Sequence, residues 1–160
     1  MVYKNKKGME IKKIKPDIRS LYDMKKVLYD KGWLRKTKNF SVYYMYRGVK
    51  QKDDLRYDIT ILSPRMLGQE FPKTLGHFHS TNYQELYRVL QGKAIFLIQK
   101  SKGKILKNIS AVKAERGDIV IVPPFSGHIT INSSKKTLEI ANWVSKKCKN
   151  MYRDVLRNHG

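Results

Sequence analysis

From residue 40 onward, apolar and polar residues alternate along the chain in short runs. The first run, FSVYYMYRGV from Phe40, is followed by QKDD and then by RYDITILS from Arg56. Successive side chains of a β-strand point to opposite faces, so this alternation predicts two strands joined by a turn. The strand-like runs that follow are ELYRVL, KAIFLIQK, KILKNISAV, DIVIVPP, HITIN and TLEIANW. Eight or so short strands with turn signals between them predict an all-β sandwich or closed barrel over residues 38–144.

The pattern before residue 40 has a different period. Ile18, Leu21 and Leu28 fall at helical spacing, and Gly32 stands where a helix C-cap belongs. We therefore predict an amphipathic helix over residues 16–32 that packs against the sheet and carries no chemistry.

Both ends of the chain are basic. Residues 1–15 have few apolar positions, which predicts a frayed or edge-pairing arm. Residues 145–160 are expected to form a short final helix or an extended strap. No second domain boundary and no internal repeat is visible, so we expect a single domain over residues 1–160.

The composition is that of a folded protein. The chain has 160 residues and is 41% hydrophobic, which is too apolar for a disordered protein. No apolar run approaches the roughly 18 residues that span a bilayer, and the basic start lacks the apolar region of a signal peptide, so we expect a soluble cytoplasmic protein without a membrane partner. Cys148 is the only cysteine, which excludes an intrachain disulfide and a cysteine-based zinc site.

The charge is strongly positive, with 34 Lys and Arg against 13 Asp and Glu and a formal net charge of +21. Such a field attracts polyanions, so it is compatible with nucleic-acid binding or with steering of an anionic substrate. The basic residues are scattered, however, and no nucleic-acid-binding signature accompanies them. We therefore favour a lysine-rich solvated surface.

Three histidines and one glutamate form the candidate metal site. His77 and His79 are spaced i, i+2, so on a strand they share a face. Glu85 lies on the next predicted strand and His128 on a late one. Imidazoles and a carboxylate suit divalent Fe, Mn, Co, Ni or Zn. The alternatives are hydrogen-bonded core histidines and, for Glu85, a salt bridge to a nearby cation.

These residues resemble the two motifs of the cupin superfamily, whose fold is a jelly-roll β-barrel. The first motif is matched by Gly76, His77, His79, Glu85 and Gly92, and the second by Gly117, Pro123, His128 and Asn132. Two departures are visible. Five residues separate His79 from Glu85, where three or four are usual, and Phe125 stands where the second motif has glycine.

Within that superfamily the chain resembles the cupin-type glucose-6-phosphate isomerases of archaea. The matching stretches are LYDMKKVLYD, YDITIL, EFPKTLGHFH, ELYRVLQGK and VPPFSGHITIN. The resemblance implies a homodimer with a role in glycolysis and gluconeogenesis, and a divalent metal held by His77, His79, Glu85 and His128. It also implies that a sugar phosphate is held at Thr60, Thr74 and Gly76, with Tyr152 as the match for a tyrosine near the C-terminus.

The residues themselves suggest how such a site would work. A divalent ion would stabilise negative charge on the sugar oxygens, and Glu85 would be a ligand, a general base or both, which makes Glu85 and His128 the candidate catalytic residues. An enediol path and a hydride shift both stay open. Lys73 would add attraction for the phosphate. Three residues face inward by alternation and could line the sugar cavity: Tyr87, Thr130 and Asn132.

Other functions remain compatible with the same motifs, because one fold can host many chemistries. A different metal cupin, such as a dioxygenase, would use the same four ligands. A non-enzymatic cupin that senses a sugar or nucleotide is a third possibility, and its positive charge could couple it to nucleic acid.

Overall fold

The computed structural model describes residues 14–79, 81–102 and 105–157. In this part of the chain it has eleven β-strands, two short α-helices and one turn of 3₁₀ helix at Tyr22–Met24. The strands are β1 (Asp17–Ser20), β2 (Ser41–Lys52), β3 (Leu55–Leu62), β4 (His77–His79), β5 (Glu85–Gln91), β6 (Lys93–Lys102), β7 (Ile105–Glu115), β8 (Ile119–Val122), β9 (Ser126–Asn132), β10 (Leu138–Ser145) and β11 (Asn150–Met151). The helices are α1 (Lys31–Lys36) and α2 (Arg153–Arg157).

The strands form two antiparallel sheets. One has the order β1-β2-β3-β10-β5-β8 and the other the order β11-β4-β9-β6-β7. The eight predicted runs correspond to β2, β3 and β5 to β10, so the all-β prediction is confirmed. These eight strands run from Ser41 to Ser145, and β1 adds an edge strand before them.

Side chains from both sheets meet in one core. Its most buried members, each at most 1% exposed, include Val42, Leu62, Val89, Phe96 and Leu138. Thr60 and Tyr87 precede Leu62 and Val89 by two positions on their strands and therefore face the same interior. The interior thus changes from apolar to polar along β3 and β5, and the polar part holds the candidate site.

The prediction of one helix over residues 16–32 is wrong. Asp17–Ser20 pairs with β2 as an edge strand, and only Tyr22–Met24 and Lys31–Lys36 are helical. Of the residues at helical spacing, Leu21 and Leu28 are buried but Ile18 is 52% exposed, because backbone pairing with β2 overrides the local preference. Gly32 lies inside α1, because the side chain of Asp30 caps that helix by accepting a hydrogen bond from Trp33 N at 2.8 Å.

The C-terminal segment contains both of the forms expected for it. Asn150–Met151 pairs with β4, with Asn150 opposite His79, and α2 follows directly. This pairing brings Tyr152 next to the candidate site. Of the predicted N-terminal arm, residues 1–13 lie outside the described residues, as do residues 158–160 of the tail.

Candidate metal centre

The three histidines come from two paired strands. His77 and His79 lie on β4, and the register of β4 with β9 places His128 directly opposite His77. The ring centroids of His77 and His128 are 4.4 Å apart, and that of His79 lies 5.2 Å from each of the other two. Alternation on β4 and pairing with β9 are therefore sufficient to bring three imidazoles together.

Glu85 reaches this group from the opposite sheet. It is the first residue of β5, and its Oε2 lies 3.0 Å from Nε2 of His79 and 3.7 Å from Nε2 of His128. One ligand atom from each of the four residues lies within 4.8 Å of the others. The five residues between His79 and Glu85 therefore do not carry the carboxylate away from the histidines.

Several ligand atoms in this group have no hydrogen-bond partner among the described residues. They are buried and comprise His77 Nε2, both ring nitrogens of His79, Glu85 Oε2 and His128 Nδ1. A buried polar atom without a partner is costly, and the four side chains each place one ligand atom within 4.8 Å of the others, so a cation suits the group as a shared partner. Three nitrogens and one carboxylate oxygen fit a divalent transition ion.

His77 and His128 are held in the neutral form that binds metal. Burial, with the neighbouring His79 and then Arg47, lowers the pKa of His77 to about 3. Burial, followed by His77 and His79, also lowers the pKa of His128 well below its usual value. A neutral imidazole keeps a lone pair free, so the site does not need to release protons from these two rings when a cation binds.

Two polar side chains orient the ligands. The side-chain amide of Asn142 on β10 donates to Oε1 of Glu85 at 2.5 Å, which leaves Oε2 directed at the histidines. The Tyr87 hydroxyl lies 2.9 Å from His128 Nε2. Burial, followed by the charge of Glu85, raises the pKa of Tyr87 well above its usual value, so the phenol stays protonated.

The cluster lies in a cavity between the two sheets. The cavity has a volume of about 60 Å³. The predicted binding residues that line it are Thr60, Thr74, Gly76, Tyr87 and Tyr152, together with Thr130. The ring of Tyr152 lies 5.7 Å from that of His77.

Thr74 and Gly76 each have a structural reason for their identity. The Thr74 hydroxyl accepts a hydrogen bond from Thr130 N at 3.0 Å, so its own proton is left to donate. Gly76 has a φ of 79°, and a Cβ at this position would come within 2.6 Å of Ile129 Cγ1. Only glycine fits there, and it brings the backbone close to the cavity.

Comparison with known proteins identifies the family. A family model described as glucose-6-phosphate isomerase matches residues 17–160. Curated glucose-6-phosphate isomerases of Thermococcus litoralis and Pyrococcus abyssi are 34% and 37% identical to the chain, over 79% and 72% of its length. The chain belongs to the glucose-6-phosphate isomerase family. It spans 67% and 62% of the length of those two relatives.

Solved structures show the same cupin fold. An oxalate oxidase in complex with the substrate analogue glycolate has a TM-score of 0.52 at 15% identity, covering 62% of this chain and 46% of its own. The oxalate decarboxylase from Bacillus subtilis has a TM-score of 0.50 at 19% identity, covering 64% of this chain and 25% of its own. None of the helices in the described part of the chain has the length and apolar character that crossing a bilayer requires.

Two residues that the sequence placed near the substrate are not in the cavity of this isomerase-family chain. Lys73 pairs with Glu70 beside an apolar groove on the outer face of β9, because Thr74 points inward and its neighbour must point outward. Asn132 is buried, but its amide donates to Lys136 O at 2.9 Å and holds the turn after β9. Neither side chain is positioned to contact a ligand at the metal centre.

Sequence reasoning missed other polar residues that line the cavity, among them Arg47, Arg56, Asp58, Asn142 and Asn150. Asn142 could have been predicted from the sequence, because it is a polar residue that shares a strand face with the apolar residues Ile140 and Val144. Arg47 could not be placed by alternation, because the pairing of β2 is irregular at that point.

Proposed function

We propose that this protein is a metal-dependent isomerase that interconverts glucose 6-phosphate and fructose 6-phosphate. The observation that supports it most is the placement, in one cavity of a chain of this family, of unpartnered metal-ligand atoms beside the hydroxyls of Thr60 and Thr74. The metal-ligand atoms suit the reacting end of the sugar, and the two threonine hydroxyls suit its phosphate.

The metal would be held by His77, His79, Glu85 and His128. A divalent ion such as Fe, Mn, Ni or Zn supplies Lewis-acid stabilisation of negative charge on the sugar oxygens when bound. The three imidazoles and the carboxylate would fix where that ion lies, and the burial of His79, Glu85 and His128 would strengthen its electrostatic effect.

Glu85 is the residue that we assign to proton movement. Conversion of aldose to ketose moves one hydrogen from C2 to C1 and the O2 proton to O1. In the enediol path the first of these transfers can be made by Glu85, which would take up the C2 proton and return it at C1. Its Oε1 is fixed by Asn142, and its buried Oε2 faces the cavity. Tyr87 stays protonated, and its hydroxyl can donate its one proton to a sugar oxygen while it accepts a hydrogen bond from His128 Nε2.

The phosphate end is assigned to Thr60, Thr74, Gly76 and Tyr152. The two hydroxyls and the backbone N–H of Gly76 are neutral donors, and phosphate oxygens accept such bonds well. Tyr152 lies beside His77 and closes the cavity on the side of β11.

The homodimer, a cytoplasmic location and a place in glycolysis and gluconeogenesis belong to the same proposal. The homodimer and the metabolic role come from the family resemblance, and the cytoplasmic location comes from the lack of a bilayer-spanning apolar run and of a signal-peptide pattern in the sequence. Sedimentation of the purified protein would test the dimer directly, since a monomer has half the expected mass.

The deciding experiment is a coupled isomerase assay with fructose 6-phosphate as substrate. Protein stripped with EDTA is assayed before and after addition of Mn(II), Fe(II), Ni(II) or Zn(II). Activity that returns with metal supports the reaction and the site together. A full metal equivalent without activity for any ion would contradict the isomerase while leaving the metal centre in place.

A further inference from the structure

A β-bulge directs an arginine into the cavity. Regular pairing of β2 with β3 stops after Tyr46 and resumes at Lys50, so three residues of β2 lie opposite the single residue Asp58. Gly48, in the middle of the bulge, has a φ of 67°, which favours glycine. Its N–H donates to Oδ1 of Asp58 at 2.8 Å. Bulges re-aim side chains, and here the redirected side chain is Arg47, which lines the cavity.

The carboxylate that holds the bulge also holds two guanidinium groups. Asp58 is only 4% exposed, and it lies 2.9 Å from Arg56 Nε and 3.6 Å from Arg47 Nη1. Among the charged residues that line the cavity outside the metal cluster, the two arginines exceed the one carboxylate by one positive charge. That excess is what a cavity needs to attract an anion.

Arg47 also pairs with a carboxylate outside the cavity. Its Nε lies 2.7 Å from Asp17 on β1, but the Asp17 side chain is 62% exposed, so water screens this pair. Burial opposes the charge of Arg47, yet its pairing with Asp17 and Asp58 outweighs burial and raises its pKa. Arg47 is therefore charged. Asp17 holds the Nε edge of its guanidinium group, and the terminal nitrogens point toward the cavity.

Arg47 lines the cavity together with Thr60, Thr74 and His77, so it shares one space with the candidate phosphate-binding and metal-binding residues. Its Nη2 contacts the thioether sulfur of Met45 at 3.5 Å. Thioether sulfur is a weak acceptor, which a phosphate oxygen can replace.

We propose that Arg47 binds the phosphate group of the substrate and determines selectivity for phosphorylated over unphosphorylated sugars, with Asp58 as its positioning residue. This inference rests on the proposed function for the identity of the substrate. A guanidinium offers a planar fork that matches phosphate, whereas the threonine hydroxyls and Gly76 N–H offer only neutral donors. Arg47 supplies the cation that Lys73, paired outside the cavity, does not.

The test uses inorganic phosphate as the probe, with binding measured by calorimetry on the full chain. Arg47→Met should weaken phosphate binding about tenfold or more, since hydrogen bonds to charged groups are the strong ones. Arg116→Met is the matched control, because Arg116 is exposed on the turn between β7 and β8 and its loss removes the same charge. Equal affinity of the two variants overturns the inference, as does the absence of phosphate binding by the unaltered protein.

Two further measurements keep the outcome decisive. Arg47→Lys is used if Arg47→Met does not unfold cooperatively. Lysine keeps the positive charge but lacks the planar guanidinium fork, so phosphate binding about threefold or more weaker is expected. Unchanged phosphate affinity in Arg47→Lys overturns the inference. In the isomerase assay Arg47→Met should raise KM for fructose 6-phosphate with kcat nearly unchanged. An active enzyme whose KM is unaltered in Arg47→Met refutes the inference alone. A protein without isomerase activity refutes the proposed function alone, and calorimetry still decides the role of Arg47.

Discussion

The side-chain amide of Asn142 donates to Oε1 of Glu85 at 2.5 Å, and this one bond decides which oxygen of the carboxylate faces the histidines. Both residues are about 5% exposed, so water does not compete for the bond. Asn142 touches no other member of the metal cluster in the contacts described above. Its effect on the site is therefore one of orientation.

Replacing Asn142 with Ala should weaken metal binding about ten- to a hundredfold, the usual effect of removing the partner of a metal ligand. Titration against a competing chelator measures this directly. Asn108→Ala, at an exposed position of β7, is the matched control. Equal metal affinity of the two variants would show that Asn142 is not needed to orient the Glu85 carboxylate.

His79→Ala should abolish tight metal binding, because three remaining ligands cannot close the site. Metal content after dialysis, measured by elemental analysis, is the readout. His159→Ala, which changes a histidine outside the described residues, should retain its metal. A full equivalent bound to His79→Ala would remove His79 from the ligand set.

Glu85→Gln should lower turnover at least about a hundredfold, the lower range for a positioned acid or base. Glutamine keeps the shape of the side chain and a single ligand oxygen, so metal content has to be measured on the same sample. Near-normal turnover in a metal-loaded Glu85→Gln variant would restrict this residue to ligation.

Thr74→Ala should raise KM for the phosphorylated sugar more than it lowers kcat, because its hydroxyl proton is free to donate while its oxygen accepts from Thr130 N. Thr74→Ser keeps the hydroxyl and serves as the control, with KM close to that of the unaltered protein. An unchanged KM in Thr74→Ala would exclude this hydroxyl from phosphate binding.

The metal-free protein should lose stability as the pH falls from about 6.5 towards 3. In the unfolded chain His77 takes up a proton near its usual pKa of 6.5, whereas in the folded protein it does so only near 3. The unfolded state therefore binds more protons in this window, and unfolding becomes easier as the pH falls. Urea unfolding at pH 7.5 and pH 5.0, for the unaltered protein and His77→Gln, should show a smaller pH effect in the variant. The same effect in both would assign it to other groups.

Alternation along the strands predicted most of the fold and the metal cluster. His77 and His79 share a face because they are two residues apart, and the register of β4 with β9 then needs only His128 at the facing position. Local spacing failed where long-range pairing decided the outcome. Residues 17–20 have a helix-like pattern, yet they pair with the edge of β2 because that satisfies their backbone.

The binding residues were predicted less completely for a related reason. Lys73 was assigned to the substrate from its chemistry alone, and the extended backbone at Thr74 turns it to the other face. Arg47 was missed because a bulge breaks the period of two on which the prediction depended. A glycine within a predicted strand, Gly48, was the one available signal of that irregularity.

The two-residue strand β11 links the C-terminal segment to a candidate metal ligand. Asn150 pairs opposite His79, and Tyr152 follows it into the cavity wall. Because this one short pairing both flanks His79 and positions Tyr152, a change that loosens β11 would disturb the metal centre and the cavity wall together.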